Sequence, residues 1–535
     1  MKILFVYPNI QRGARTPQLG ICSLSAVMKL HGHDCDLYDN TLVEPGRELT
    51  DFVQKLEDFQ PHLVAFSIRS NEVRLVRLLK ELIPEGITVV AGGHHATVAT
   101  QEMMETFDIV VQGEGEYALL ELVEKLEKGE SLRDVQNVWV RENGVVHKNS
   151  LRPLIDLDEL PFPDWQIFEE AHFTSHYLKG GIASGANIVG TFEGSRGCIF
   201  TCTYCSSPHL MKMYGGRSWR REKSPERMAE EVHALKKLLG GLDYIYFVDE
   251  IFLTQRPRLE RFRDVFSSQV NIPFTFMERP ELITEEKMKL ISEAGAAAVA
   301  IGVESGDEEF RKKALDRKTP QGKVIEAFRL AKKYGLHTHA FNMVGLPGET
   351  ADVLRKNFEL LAQIQPDSFQ VTIFYPLRGT VLHDYCKKQG YLTDDEMPEN
   401  YYESTVLELP TLTKEQIVLF QLLMSGFAGR GDRLSKWLFQ ACIALTQGRP
   451  RVLKAIVYLL RVGIYVRDQL RWYGLWGSLQ KFIKTGNLGK AFPALWTRSE
   501  TERPSDVDAE QVIRINRGTD AIYEQPQMRR PAQRG

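Results

Sequence analysis

The sequence predicts an α/β chain: an N-terminal doubly wound parallel-sheet domain, a central partial (β/α)6 barrel of the TIM type, and a helical C-terminal region. Three observations predict it. Short apolar runs alternate with helix-periodic stretches through the first 135 residues. Six further strand-like runs, each followed by a helical stretch, recur between residues 186 and 390. After Tyr391 the strand signals stop and helix-like sequence takes over. The expected boundaries are 1–135 for the first domain, 136–185 for a hairpin and linker, 186–390 for the barrel, 391–498 for a basic helical region and 499–535 for a disordered tail.

In the first domain the strands are expected at Ile3–Tyr7, Asp36–Tyr38, Leu63–Ile68, Thr88–Ala91 and Ile109–Gln112. Leu75, Leu78, Leu79 and Leu82 fall at i, i+3, i+4 and i+7, and Leu119, Leu120, Leu122 and Leu126 form a second helix-like set, which marks the intervening segments as amphipathic helices. Such sheets bind ligands at the carboxyl ends of their strands. The loops there are Pro8–Gln18, Arg69–Asn71, Gly92-Gly93-His94-His95 and Gly113-Glu114-Gly115-Glu116. The glycine pair after the fourth strand lets the backbone come close to a bound molecule. Next, Glu142-Asn143-Gly144 between two valine-rich runs signals a hairpin. An acidic, extended stretch with Pro153, Pro161 and Pro163 then reads as a linker docking one domain over the other.

The barrel strands are expected at Ile188–Phe192, Tyr244–Val248, Phe274–Met277, Ala298–Val303, Thr338–Val344 and Phe369–Phe374. Directly after the first comes the densest chemical signal in the chain. Three of the seven cysteines, Cys198, Cys202 and Cys205, stand in a C-x3-C-x2-C array. Soft thiolates from one tight loop suit iron–sulfur clusters and zinc. A zinc site usually draws on a second Cys or His pair, and Cys22, Cys35, Cys386 and Cys442 are scattered. Structural disulfides are disfavoured because no secretory signal precedes them: the apolar N-terminal run is short and closed by Pro8, and reads as a first strand in the cytoplasm. A four-iron cubane held by three cysteines keeps one iron free of protein ligands.

The loop resembles the signature of the radical S-adenosylmethionine superfamily, with Tyr204 before the third cysteine and an Arg-Gly pair before the first. The resemblance implies a 4Fe–4S cluster on Cys198, Cys202 and Cys205 whose open iron chelates S-adenosylmethionine, and reductive cleavage of that cofactor to a 5'-deoxyadenosyl radical. It also implies cofactor contacts at the other strand ends. Asp249 and Glu250 follow the second strand, Glu304 and Ser305 the fourth, and Gly345 and Glu349 the fifth, with Tyr204 beside them. Arg279 and Arg317 are candidates for the carboxylate of the cofactor.

The first 150 residues resemble the cobalamin-binding domain of cobalamin-dependent radical S-adenosylmethionine enzymes, with Gly-Gly-His-His-Ala-Thr and Gly-Glu-Gly-Glu in the expected order. The resemblance implies cobalamin contacts at Asn9, Ser67, Asn71, Gly92, Gly93, His94, Gly113 and Glu114. The D-x-H-x-x-G motif that supplies a lower axial histidine in the methionine-synthase type is absent, so no cobalt ligand is assigned.

A formal net charge of −3 conceals an asymmetry: Arg430–Arg498 holds thirteen Lys/Arg against two Asp/Glu, and four of the seven tryptophans. Two readings stay open, a helical cap over the barrel mouth or helices lying in a membrane interface. The latter favours a lipid or isoprenoid substrate. The longest apolar run, Ala455–Val466, is too short to cross a bilayer, and no nucleic-acid-binding module accompanies the charge. The expected activity is methyl transfer to an unactivated carbon, with an electron donor such as flavodoxin or ferredoxin. A cyclase or rearrangement enzyme with the same cofactors and a non-catalytic cobalamin sensor are the alternatives.

Overall fold

A computed structural model describes residues 1–11, 15–392, 402, 404–427, 433–446 and 451–460. The expected tail and the basic stretch beyond residue 460 lie outside these residues.

The first domain runs β1 (Lys2–Tyr7), α1 (Leu19–Leu30), β2 (Asp34–Asp39), α2 (Glu48–Phe59), β3 (Leu63–Ser67), α3 (Val73–Glu81) and β4 (Thr88–Gly92). It continues with α4 (Gly93–Val98), α5 (Thr100–Thr106), β5 (Ile109–Val111), α6 (Glu116–Lys128), β6 (Val138–Glu142) and β7 (Val145–Lys148). The sheet order is β2-β1-β3-β4-β5-β6-β7, parallel through β5 and antiparallel thereafter. The expected hairpin is therefore not a free linker element but the antiparallel edge of this sheet. Alternation along β1 explains the two layers. Ile3, Phe5 and Tyr7 pack into one core with Ile21, Val27 and Leu122. Leu4 and Val6 pack into the other with Phe52, Leu56 and Leu79.

The linker, which carries the one-turn helix α7 (Ala171–Thr174), leads to β8 (Val189–Phe192), β9 (Ser195–Arg196), α8 (Ser207–Met213), β10 (Arg221–Glu222) and α9 (Pro225–Leu238). There follow β11 (Tyr244–Phe247), α10 (Arg256–Val265), β12 (Phe274–Glu278), α11 (Glu285–Glu293), β13 (Ala296–Glu304) and α12 (Glu308–Ala314). The barrel ends with α13 (Gln321–Lys333), β14 (His337–Val344), α14 (Ala351–Ile364), β15 (Ser368–Ile373) and α15 (Val381–Lys388). All six main strands are parallel in the order β15-β14-β13-β12-β11-β8, so the sheet is a half-barrel with β8 and β15 as its edges. Its outer face is apolar: Val299, Ile301, Ala340, Val344 and Val371 are buried against the helices. β9 and β10 form a separate antiparallel ribbon that brackets the cysteine loop and α8.

Helices α16 (Lys414–Phe427) and α17 (Arg433–Thr446) extend the outer helical layer. Gln421 donates to the Val371 carbonyl at 3.1 Å, and Phe439 stacks on Phe358 of α14 at 4.1 Å. Helices α16 and α17 thus pack on the outer face of the sheet, whereas ahead of them Leu407 packs with Leu346 and Phe374 at the strand ends and Tyr402 accepts from Gln370 of the inner face at 2.6 Å. Among the described residues no helix is long and apolar enough to cross a membrane.

Two turns at strand ends depend on single residues. Gly93 has φ +90°, and a Cβ there would stand 2.6 Å from the Ile68 backbone nitrogen. Gly86 has the same φ with nothing within 4 Å. Gly93→Ala should therefore cost at least about 3 kcal/mol and Gly86→Ala about 1 kcal/mol in urea or thermal unfolding. Equal costs would show that the close approach to Ile68 is not what fixes the turn.

Glu349 is fully buried; its Oε2 accepts the Gly345 amide at 2.6 Å and the Leu346 amide at 3.2 Å, while Oε1 has no partner. Burial pushes its carboxyl up to about 8. The folded chain holds this proton over a range, about pH 4 to 8, where the unfolded chain has released it. Stability from this group is thus present at low pH and lost as pH rises toward 8. The Tm of Glu349→Gln minus that of the wild type should climb by a few degrees between pH 5 and 8 and then level off. A flat difference would overturn the assignment.

Candidate functional site

The cysteine loop is seated from four sides. Thr203 N–H donates to the Leu315 carbonyl at 3.3 Å, and its hydroxyl to the Ala314 carbonyl at 2.6 Å. Leu382 N–H donates to the Thr203 carbonyl at 3.0 Å, and the Thr201 hydroxyl to Asp316 at 2.6 Å. The Trp219 indole N–H donates to the Cys198 carbonyl at 2.9 Å. Before the loop, Asp249 accepts the Gly194 amide at 3.0 Å and the Ser195 hydroxyl.

Cys198 and Cys202 are buried and Cys205 is half-buried. Burial pushes the Cys198 thiol up to about 11 and raises that of Cys205. The thiols feel one another electrostatically, yet among the described residues no three Cys, His, Asp or Glu side chains are gathered closely enough to hold a metal ion. Metal binding to cysteines requires thiolates and releases their protons. The loop fits a thiolate-ligated cluster in its donors: Arg279 Nη1 stands 2.7 Å from Cys202 Sγ, and the Ser207 amide 3.4 Å from Cys205 Sγ. The Arg279 guanidinium also lies 3.7 Å from the Phe200 ring centroid and pairs with Glu281 at 2.6 Å.

The barrel strand ends gather a second group of residues. Glu304 has φ +67°, a strained backbone at the register shift between Gly302 and Glu304. Burial raises its carboxyl, opposed by Arg317, whose Nη1 lies 3.1 Å from Glu304 Oε1 and 2.9 Å from the Tyr204 hydroxyl. Burial also raises the Tyr204 phenol. Arg317, a candidate for cofactor contact, is thus committed to Glu304, Tyr204 and the Gly302 carbonyl. The pair Asp249-Glu250 divides. Asp249 is turned into the protein, where burial pushes it up to about 7, while Glu250 opens on a cavity whose enclosing walls raise its carboxyl. Ser305 is buried and holds Arg311 through its carbonyl at 2.6 Å. Gly345 and Glu349 form the turn described above.

That cavity, about 390 Å³, lies between the two domains. Phe5, Leu24, Ala65, Val90, Val111 and Leu119 line its floor at the carboxyl ends of β1, β3, β4 and β5. Its walls include Ser67, Gly92, Gly93, His94, Gly113 and Glu114 from the first domain, and Glu193, Arg196, Gly197, Tyr214, Trp219 and Glu250 from the second. Six of the eight expected cobalamin contacts are on it. Asn9 is instead bonded to Thr41 at 2.8 Å and to Arg69, and Asn71 is buried off the cavity. His94 faces the cavity, with its pKa lowered by burial and by His209. His95 turns away to Ser70 at 2.9 Å, and burial pushes it down to about 4. An apolar floor, a glycine-lined wall and a polar mouth suit a large ligand with an apolar face and polar edges, as cobalamin has.

Glu114 does more than line the wall. It meets Arg196 at 3.3 Å and Arg221, which adjoin in the β9–β10 ribbon, while Glu116 meets Arg196 at 2.7 Å. The Gly-Glu-Gly-Glu loop therefore grips the ribbon that carries the cysteines. Gln18, whose amide donates to Ser67 at 2.8 Å on the cavity wall, is also absent from the sequence-based candidates. So are Tyr214 and Trp219. No motif marks these residues; Tyr214 is set by how the domains dock, and Gln18 and Trp219 by bonds within their own domains.

The family model "Radical SAM superfamily" matches residues 192–361, and "B12 binding domain" matches 9–123. An uncharacterized methyltransferase of Pyrococcus horikoshii is 30% identical over 78% of this chain and 90% of its own. The anaerobic magnesium-protoporphyrin IX monomethyl ester cyclase of Cereibacter sphaeroides is 23% identical over 96% of this chain and 85% of its own. Among solved structures, the cobalamin-dependent S-adenosylmethionine radical enzyme OxsB, with aqua-cobalamin and S-adenosylmethionine bound, superposes with a TM-score of 0.64 at 17% identity, over 96% of this chain and 75% of that one. The two family matches imply a 4Fe–4S cluster, S-adenosylmethionine and cobalamin as cofactors. The chain belongs to the radical S-adenosylmethionine superfamily, among those members that carry a B12-binding domain ahead of the barrel.

Proposed function

We propose that this chain is a methyltransferase acting on an unactivated carbon of a small molecule. The observation that carries this reading is the shared cavity: the first-domain loops that suit cobalamin face, across one space, Arg196 and Gly197, which lead directly into the cysteine loop, and Glu250. Bound there, the cluster supplies single electrons for cleaving S-adenosylmethionine, and cobalamin supplies a methyl carrier. The protein's part is placement. Cys198, Cys202 and Cys205 are the proposed cluster ligands. Glu250, open to the cavity, is the proposed acceptor for the ammonium of S-adenosylmethionine. Glu304, Tyr204 and Arg317 form a fixed polar group at the fourth strand end, in which the cation holds the carboxylate. Asp249, Ser305, Gly345 and Glu349 hold the loops that present these groups. The ion pairs of Glu114 and Glu116 with Arg196 close the cavity edge against water.

The similarity to the Pyrococcus methyltransferase supports methyl transfer. The similarity to the protoporphyrin ester cyclase supports a second reading, radical cyclisation with no methyl transfer. A lipid-like substrate is supported by the C-terminal helices, where Trp437 is 61% and Leu459 66% exposed beside the exposed Lys436 and Lys454. The proposed setting is the cytoplasm, at the inner membrane face, with a flavodoxin or ferredoxin as electron donor.

Anaerobically reconstituted protein with cobalamin, methyl-labelled S-adenosylmethionine and cell extract should release 5'-deoxyadenosine and place label in an extractable product. Cys202→Ala should lower 5'-deoxyadenosine at least about a thousandfold. Deoxyadenosine without label in any product would favour the cyclase. A Cys202→Ala protein that retains its full effect would favour a cobalamin sensor.

A further inference from the structure

Two aromatic rings join the first domain to the first cluster cysteine. Tyr214, at the end of α8, places its hydroxyl where a Cβ on Gly113 would collide with it, and that hydroxyl accepts the Glu114 amide at 2.8 Å. Its ring lies parallel to Trp219, 3° between planes and 6.5 Å between centroids. Trp219 is 5% exposed, and its indole N–H donates to the Cys198 carbonyl at 2.9 Å. The same indole packs flat on Gly197, whose φ is +98° and where a Cβ would come within 2.9 Å of the ring. Gly113, Glu114, Tyr214, Trp219 and Gly197 all line the cavity.

The first domain's Gly113-Glu114 turn is therefore linked, through two parallel rings, to the backbone of Cys198. Arg196 makes a second link one residue before Gly197, through its pairs with Glu114 and Glu116. A group seated in the cavity must touch this wall, and a cluster on Cys198 must fix the loop to which the wall is bonded. We propose that Trp219 is a positioning residue that couples the two cofactor sites, so that a filled cobalamin cavity and a formed cluster stabilise one another. Such coupling is reciprocal: each site raises the affinity of the other by the same factor. The inference rests on the reading of the cavity as the cobalamin site and the loop as the cluster site.

The test is a binding cycle on the full chain, with hydroxocobalamin as the probe, measured by equilibrium dialysis under anaerobic conditions on protein with and without its reconstituted cluster. In the wild type, cluster loading should tighten hydroxocobalamin binding about tenfold. Trp219→Phe keeps the packing on Gly197 but loses the bond to Cys198; its ratio should fall at least about threefold, the remainder being carried by Arg196, whatever the substitution does to hydroxocobalamin affinity in the cluster-free protein. Tyr214→Phe, which removes the acceptor for Glu114 and leaves the stack, should give an intermediate ratio and serves if the first variant folds poorly. The electron paramagnetic resonance spectrum of the reduced cluster should shift on adding hydroxocobalamin in the wild type and not in Trp219→Phe. Equal ratios in wild type and both variants, or a wild-type ratio of one, would overturn the coupling. A wild-type protein that holds no iron or no cobalamin would instead overturn the underlying reading of the sites.

Discussion

The arrangement of this molecule depends on a set of ion pairs between two domains: Glu114 and Glu116 of the first against Arg196 and Arg221 of the second. The four side chains are 5–18% exposed. Taking such charges from water costs about as much as their attraction returns, so the network adds little net stability. Its value is in register. A displacement of the ribbon would strand a buried arginine, at a cost of about 3–5 kcal/mol. Burial tends to raise the Glu116 carboxyl, yet Arg196 holds it below the ordinary range, so the pairs stay charged at neutral pH. Because Arg196 is two residues before Cys198, fixing the ribbon also fixes where the cysteine loop begins.

The barrel end of the site follows the same rule, that each buried carboxyl is assigned to a backbone turn or to a cation. Glu278 pairs with Lys287, whose ammonium also reaches the Phe252 and Leu253 carbonyls at 2.6 and 2.8 Å. That three-way bond holds the segment after β11, strained at Leu253 with φ +25°, and so orients Asp249 and Glu250. Asp249 steadies the entry to the cysteine loop, Glu349 the turn after β14, and Glu304 is held by Arg317. Of the two acids at the second strand end, Glu250 faces the cavity and Asp249 does not, so two adjacent acids that look alike in sequence have different surroundings.

Much of this was legible in the sequence because it rests on local periodicity. Both sheets' parallel strands lie within a few residues of the apolar runs, since a strand buried on both faces is written as a continuous stretch of Val, Ile and Phe. The cysteine spacing and the strand-end acids were legible for a similar reason: fold and loop length dictate where they fall. What was not legible depends on docking. The hairpin at Val138–Lys148 announces its own turn, but nothing in it announces pairing with β5. Glu114 sits in a loop that suggests ligand contact, and only the partner domain reveals Arg196 and Arg221 beside it. Asn9 has the right place in the chain, yet its amide is taken by Thr41 and Arg69. The C-terminal helices advertise basic and aromatic residues, while their packing on the outer face is fixed by Ile417, Phe420 and Phe439, which look like any helical core.

The substrate is the part of the chemistry that the cofactor machinery constrains least, and the half-barrel shows why. Its outer face is filled by helices and its strand ends are committed to the cysteine loop and its supports. What remains is the inner face. There Ala298, Ala300 and Gly302 of the central strand stand in register with His337, His339 and Phe341, and these with Ser368 and Gln370 of the edge strand. Tyr244 and Thr275, bonded at 2.7 Å, continue the row on the other side. Small residues at the centre leave space between polar and aromatic flanks, and burial holds His339 uncharged, with its pKa pushed down to about 4. None of these side chains supports the cavity or the cysteine loop. Their identity is therefore not dictated by the cofactor sites, and the fold alone does not fix what molecule the inner face meets.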